Sequence, residues 1–146
     1  MSGLAALLAG HNPPDVYQWH SAAHVPDVAH AVEHAGWKFV HLDGWTMEDE
    51  ETFLKNCVHA FELPEERGAG FEALSDCLCD VDAPAKQGVV LLWDGWSPLA
   101  RHDEAAFQQA LAVFGRRAEA DDGCPFAVLL RGEGPSLDVP ELPAKA

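Results

Sequence analysis

Basic residues are scarce in this sequence: nine Lys and Arg stand against 24 Asp and Glu, for a net charge of -15 with histidine neutral. Such a chain repels nucleic acid and anionic membrane surfaces wherever the charge is unscreened, so neither is expected as a partner. Long apolar runs are also lacking, and no segment reaches membrane-spanning length. The first residues carry neither the basic cluster nor the A-x-A cleavage pattern of a signal peptide. Of the four cysteines, Cys57, Cys77, Cys79 and Cys124, the Cys77/Cys79 pair falls at i, i+2 in a helical pattern and points to different sides. The expectation is a cytoplasmic protein with reduced thiols. There is no phosphate-binding Walker loop, dinucleotide glycine fingerprint or nucleophile motif. His30 and His34, with the cysteines, fit no standard zinc spacing. The sequence therefore points away from an enzyme and predicts no catalytic residues, no metal and no cofactor.

What is present is the material of one folded domain. The 146 residues are 48% hydrophobic, with five tryptophans and seven phenylalanines, enough to build a sizeable core. Residues 1–15 read as a frayed start, in which the apolar stretch Leu4 to Ala9 is closed by Gly10 and the Pro13-Pro14 pair. Val16 to Trp19 is a short strand candidate. Pro26 suits a first helical position, Val28, Val32 and Ala35 recur at helical spacing, and Gly36 supplies the stop. Trp37 to Leu42 has strand composition and ends at Asp43-Gly44. Thr46-Met47-Glu48-Asp49 then resembles a capping box, followed by a helix to about Ala60 with Phe53, Leu54, Cys57 and Val58 inward.

A second helix is expected from about Phe71, with Phe71, Leu74, Leu78 and Val81 on its inner side. Gly88 to Trp93 and Pro125 to Leu130 are nearly continuous apolar runs of strand length, as in a parallel sheet covered on both faces. Between them, Phe107, Ala110, Leu111 and Phe114 mark a helix over residues 103–118. Trp93 and Trp96 are expected to close the core. Strands alternating with helices predict an α/β fold with a small, mainly parallel sheet of three to four strands. The tail over residues 132–146, rich in proline and glycine, is expected to be loose. Asp-Gly-Trp occurs twice, at Asp43 to Trp45 and Asp94 to Trp96, and both copies read as turns leaving strands.

The charge is concentrated. Residues 43–82 hold twelve acids and only two bases, Lys55 and Arg67, and so carry a net ten of the fifteen negative charges. Within this stretch Glu72, Asp76 and Asp80 are spaced by four and stack along the helix face opposite Phe71, Leu74 and Leu78. Each such like-charge pair costs an isolated helix about 0.2 to 0.5 kcal/mol, and Asp80 near the helix end is further opposed by the dipole. A cationic partner would offset that cost. Just before the helix, Glu65 and Glu66 add to the field, and Gly68 and Gly70 let another backbone approach closely. A helix that simply tolerates the repulsion for solubility is the plainer reading of the acids alone; glycine loop and acidic face together favour an interface.

From Phe61 to Asp80 the run F-E-L-P-E-E-R-G-A-G-F-E-A-L-S-D-C-L-C-D resembles the inhibitory segment of barstar-family ribonuclease inhibitors. Flanking parts occur in the family's order: the strand ending in Asp-Gly, the capped helix, the GVVLLW strand, the Phe107 to Phe114 helix and the closing FAVLL strand, over roughly residues 37–131. The resemblance implies a barstar-like domain over residues 16–131, with residues 16–36 an added strand and helix. It implies a stoichiometric inhibitor, or immunity protein, that inserts an acidic helix and loop into the active site of a basic, secreted, guanyl-specific ribonuclease. Asp76 matches the family's central aspartate, which takes the place of an RNA phosphate among the enzyme's cationic groups. Glu72 matches an acid one turn earlier and Gly68 the docking-loop glycine. The partner-binding segment so implied comprises Glu65, Glu66, Arg67, Gly68, Gly70, Glu72, Ser75, Asp76, Cys79 and Asp80. Glu66, Arg67 and Ser75 stand where the family commonly has aromatic residues, and Gly70 where it commonly has Asn. These departures keep open a family-fold module for a different cationic partner. A small hydrolase using carboxylate and histidine is the remaining alternative.

Overall fold

In the computed structural model, residues 3–13, 15–62, 70–74, 88–119, 125–134, 137 and 139–142 are described. The elements run α1 (Gly3–Leu8), β1 (Val16–Trp19), α2 (Val25–His34), β2 (Lys38–Asp43), α3 (Glu50–Ala60), a helical turn at residues 70–74, β3 (Val89–Asp94), α4 (Ser97–His102), α5 (Glu104–Glu119), β4 (Phe126–Arg131) and β5 (Glu141–Leu142). The strands form one sheet of order β2-β3-β4-β1-β5, and every pairing is parallel.

The unbroken apolar runs of β3 and β4 follow from this arrangement. Both strands are interior, and side chains alternate between two covered faces. Val89, Leu91 and Trp93 enter one core with Phe126, Val128 and Leu130; α3, residues 71 and 74, α4 and α5 close it. Val90, Leu92, Ala127 and Leu129 enter a second core beneath α1 and α2. Trp93 and Trp96 are fully buried, as expected of core tryptophans. The β1-to-β2 crossover through α2 travels along the sheet in the direction opposite to the β2-β3-β4 crossovers, so right-handed connections place α2 on the other face from α3 and α5.

Helix limits follow local chemistry. Beyond α2, Gly36 adopts φ +86°, while Gly36 N donates to Glu33 O and Trp37 N to Val32 O. That is a Schellman stop, with Trp37 and Val32 packed in the same core. The start of α3 differs from the sequence reading. Its cap is Asp49, whose Oδ1 accepts from Thr52 N at 2.8 Å, and Thr46 lies exposed before it. A turn closed by Met47 N on Gly44 O first carries the chain inward to bury Met47 completely, so the helix starts three residues later than a Thr46 cap would place it.

The sheet has five strands where three to four were expected, and regular structure reaches both end segments. Helix α1 puts Leu4 and Leu7 in the second core. The two residues of β5 pair with Gln18 and Trp19, and Pro140 O accepts from Gln18 N at 2.9 Å. Flanked by Pro140 and Pro143, so short a strand has no signature of its own, and its edge position is the one that tolerates proline.

Candidate protein-binding site

The loop and helix singled out in the sequence begin where α3 ends. Phe61 caps α3 and Glu62 follows at φ +56°, an unusual left-handed conformation for a residue with a side chain. Glu65, Glu66, Arg67 and Gly68 lie outside the described residues, as do Ser75, Asp76, Cys79 and Asp80. Gly70 and Glu72 lie within them. Gly70 has φ +82° with open space where a Cβ would stand, so backbone conformation rather than crowding calls for glycine there.

In the turn that follows, Phe71 and Leu74 are buried and Glu72 is exposed. Phe71 stacks on Phe53 with ring centroids 5.8 Å apart, and Phe53 meets Trp93 of the central strand at 5.2 Å. This aromatic chain anchors the turn to the sheet and sets its rotation. With positions 71 and 74 inward, the carboxylate of Glu72 is turned to solvent.

A second constellation, which the sequence reading missed, occupies the carboxyl ends of the strands. Register sets Asp43 beside Asp94, and Asp94 beside Arg131. Arg131 pairs with Asp94 through two nitrogens, at 2.6 and 2.8 Å, and His41 Nε2 lies 3.3 Å from Asp94 Oδ2. Burial alone would raise the Asp94 carboxyl; the hydrogen bonds and charge of Arg131, with help from His41, outweigh it and hold the group below the usual carboxylate range. The repeated Asp-Gly-Trp was the available signal, since equal tripeptides at the ends of two adjacent parallel strands come to lie side by side. Their tryptophans diverge: Trp96 is buried against Phe107, with centroids 5.5 Å apart, and Trp45 is exposed.

Among the described residues no group of three or more His, Cys, Asp or Glu side chains is placed to hold a metal ion. Cys57 is fully buried, and desolvation pushes its thiol well above the ordinary range, away from the reactive thiolate. No described helix is long and apolar enough to cross a membrane.

Among solved structures, the ORC2 protein of Aeropyrum pernix, described in ADPNP-ADP complexes, is similar with a TM-score of 0.59 at 16% identity. The likeness covers 90% of this chain and 38% of that one, and at this identity it shows a shared fold alone. No curated protein matches the chain. The pattern of the family Barstar (barnase inhibitor) matches residues 37–131, which span β2, β3 and β4 with α3, α4 and α5. By a match over more than half its length, the chain belongs to the barstar family.

Proposed function

We propose that the protein is a stoichiometric inhibitor of a basic secreted ribonuclease and protects the cytoplasm of its own cell from that enzyme. In this reading the glycine loop and the acidic face of Glu72, Asp76 and Asp80 fill the enzyme's cationic cleft, and the protein has no catalysis of its own. The carrying observation is Glu72, exposed on a turn whose Phe71 and Leu74 are locked into the core. An anchored turn holds its carboxylate in place before the partner arrives, which lowers the ordering cost of binding. Family membership supports a ribonuclease as the class of target, and the net charge of -15 favours fast, salt-sensitive encounter with a cationic enzyme.

The test is titration of barnase, and of the basic ribonucleases secreted by the source organism, with the purified protein at low salt. RNA cleavage should fall to zero at one equivalent for at least one of these enzymes. Undiminished cleavage by all of them refutes the reading. The absence of family aromatics at Glu66, Arg67 and Ser75 favours a second reading, in which the same face holds a cationic protein other than a ribonuclease.

A further inference from the structure

Trp45 is the large apolar side chain that the described fold leaves in solvent, at 54% exposure. It follows β2 at the carboxyl edge of the sheet, the edge at which open parallel sheets place their ligand sites. The indole has a built seat. A Cβ added to Gly95 would fall 2.5 to 2.8 Å from Cδ2, Cγ and Cε2 of Trp45, and one on Gly132 would lie 3.2 Å from Cη2. Two glycines of positive φ, at the ends of β3 and β4, thus let the ring rest on backbone. The three ring atoms above Gly95 belong to the body of the indole, so one face is covered and the exposure belongs largely to the other.

The surroundings are acidic. Trp45 N donates to Asp43 Oδ1 at 3.2 Å, which keeps that exposed carboxylate beside the ring's own residue. Glu48, Asp49, Glu50 and Glu51 follow in the connection to α3 and its first turn, all exposed, and no Lys or Arg occurs between Lys38 and Lys55. Of the bases nearby, Arg131 is engaged by Asp94, and His102 Nε2 lies 3.3 Å from Glu48 Oε2, which leaves Asp43, Asp49, Glu50 and Glu51 to set the local charge.

We infer that Trp45 is a docking platform for an arginine or lysine side chain of a basic partner protein. A cation above an indole face is attracted by the ring quadrupole, and neighbouring carboxylates add to the attraction. Charge selects this occupant. A second copy of the chain brings another -15 and is repelled, and a stacking nucleobase arrives with phosphates that are repelled too. In chain order the platform precedes α3, an eleven-residue helix about 16 Å long, and the proposed inhibitory segment follows it. The inference rests on the Trp45 seat and the charges beside it, and it does not rest on the inhibitor reading.

The experiment follows indole N–H signals by NMR in the isotope-labelled full chain, titrated with the peptide acetyl-Gly-Arg-Gly-Arg-Gly-amide and with its citrulline twin. The signal absent from Trp45→Leu identifies Trp45. The arginine peptide should shift it saturably, the citrulline peptide should not, and Trp45→Leu should bind the arginine peptide about five-fold or more weakly. Because that substitution leaves every charge in place, the loss isolates the ring from the general field, and unchanged signals of the four buried indoles establish that the variant is folded. An unmoved Trp45 signal, equal binding of the two peptides, or undiminished binding by Trp45→Leu would each overturn the inference.

Discussion

Arg131 grips Asp94 with two nitrogens, Nε on Oδ1 at 2.6 Å and Nη2 on Oδ2 at 2.8 Å, across the neighbouring ends of β4 and β3. Its third nitrogen, Nη1, donates to Ala23 O at 2.5 Å, and the guanidinium lies over the Trp19 ring at 5.7 Å. One side chain thereby fastens the segment after β1, outside the family match, to the two central strands inside it. Both partners are largely buried, at 15% and 12% side-chain exposure. Arg131→Met, which keeps the packing stem, should therefore destabilise the fold by about 3 kcal/mol, because a buried carboxylate is left without its counter-ion. Arg131→Lys should restore little, since a single ammonium cannot reproduce the fork. Urea unfolding of the variants measures this; wild-type stability in Arg131→Met would show the pair to be incidental.

The same pair makes stability depend on acid. The folded-state pKa of Asp94 lies below the ordinary value of about 3.9, so its contribution is complete above the unfolded value and is lost as pH falls through the folded one. The stability advantage of wild type over Asp94→Asn should hold constant near neutrality and shrink below about pH 4. Urea titrations of both proteins across that range check the sign, and a gap that widened in acid would contradict it.

Two helix ends predict changes of opposite sign. Gly36 at φ +86° completes the stop of α2, and a side chain there is strained, so Gly36→Ala should cost about 1 kcal/mol. Glu62 occupies the corresponding place after α3 at φ +56°, and Glu62→Gly should gain up to about 1 kcal/mol, or about 2 to 4 °C in Tm. Calorimetry of both variants is the check.

Much of this architecture was legible because local chemistry and global position agree. The unbroken apolar runs of β3 and β4, the Gly36 stop and the Phe53/Cys57 helix face each announce themselves within a dozen residues. What escaped is non-local. Asp94 and Arg131 meet only through strand register, β5 exists only because β1 is there to pair with, and nothing inside Asp-Gly-Trp says that Trp45 stays in solvent while Trp96 is covered by Phe107. The acids of the candidate site were found by their spacing, and the burial of Phe71 and Leu74 fixes the sense in which Glu72 faces.

Cys57 should be inert in the native protein. Full burial and the raised thiol pKa leave almost no thiolate at pH 8. Iodoacetamide labelling followed by peptide mass analysis should find Cys57 modified only after unfolding; rapid native labelling would show that the core around α3 opens.

In the proposed function, carboxylates on the helix after Gly70 close a ribonuclease's cleft. The most direct test is the dissociation constant of the complex for Asp76→Ala set against Glu33→Ala, an exposed acid on α2 across the sheet. Both variants remove one negative charge, so the general field changes equally. Asp76→Ala should weaken the complex about thirty-fold or more, and Glu33→Ala should stay within about two-fold of wild type. Equal affinities for the two variants would contradict the proposed function.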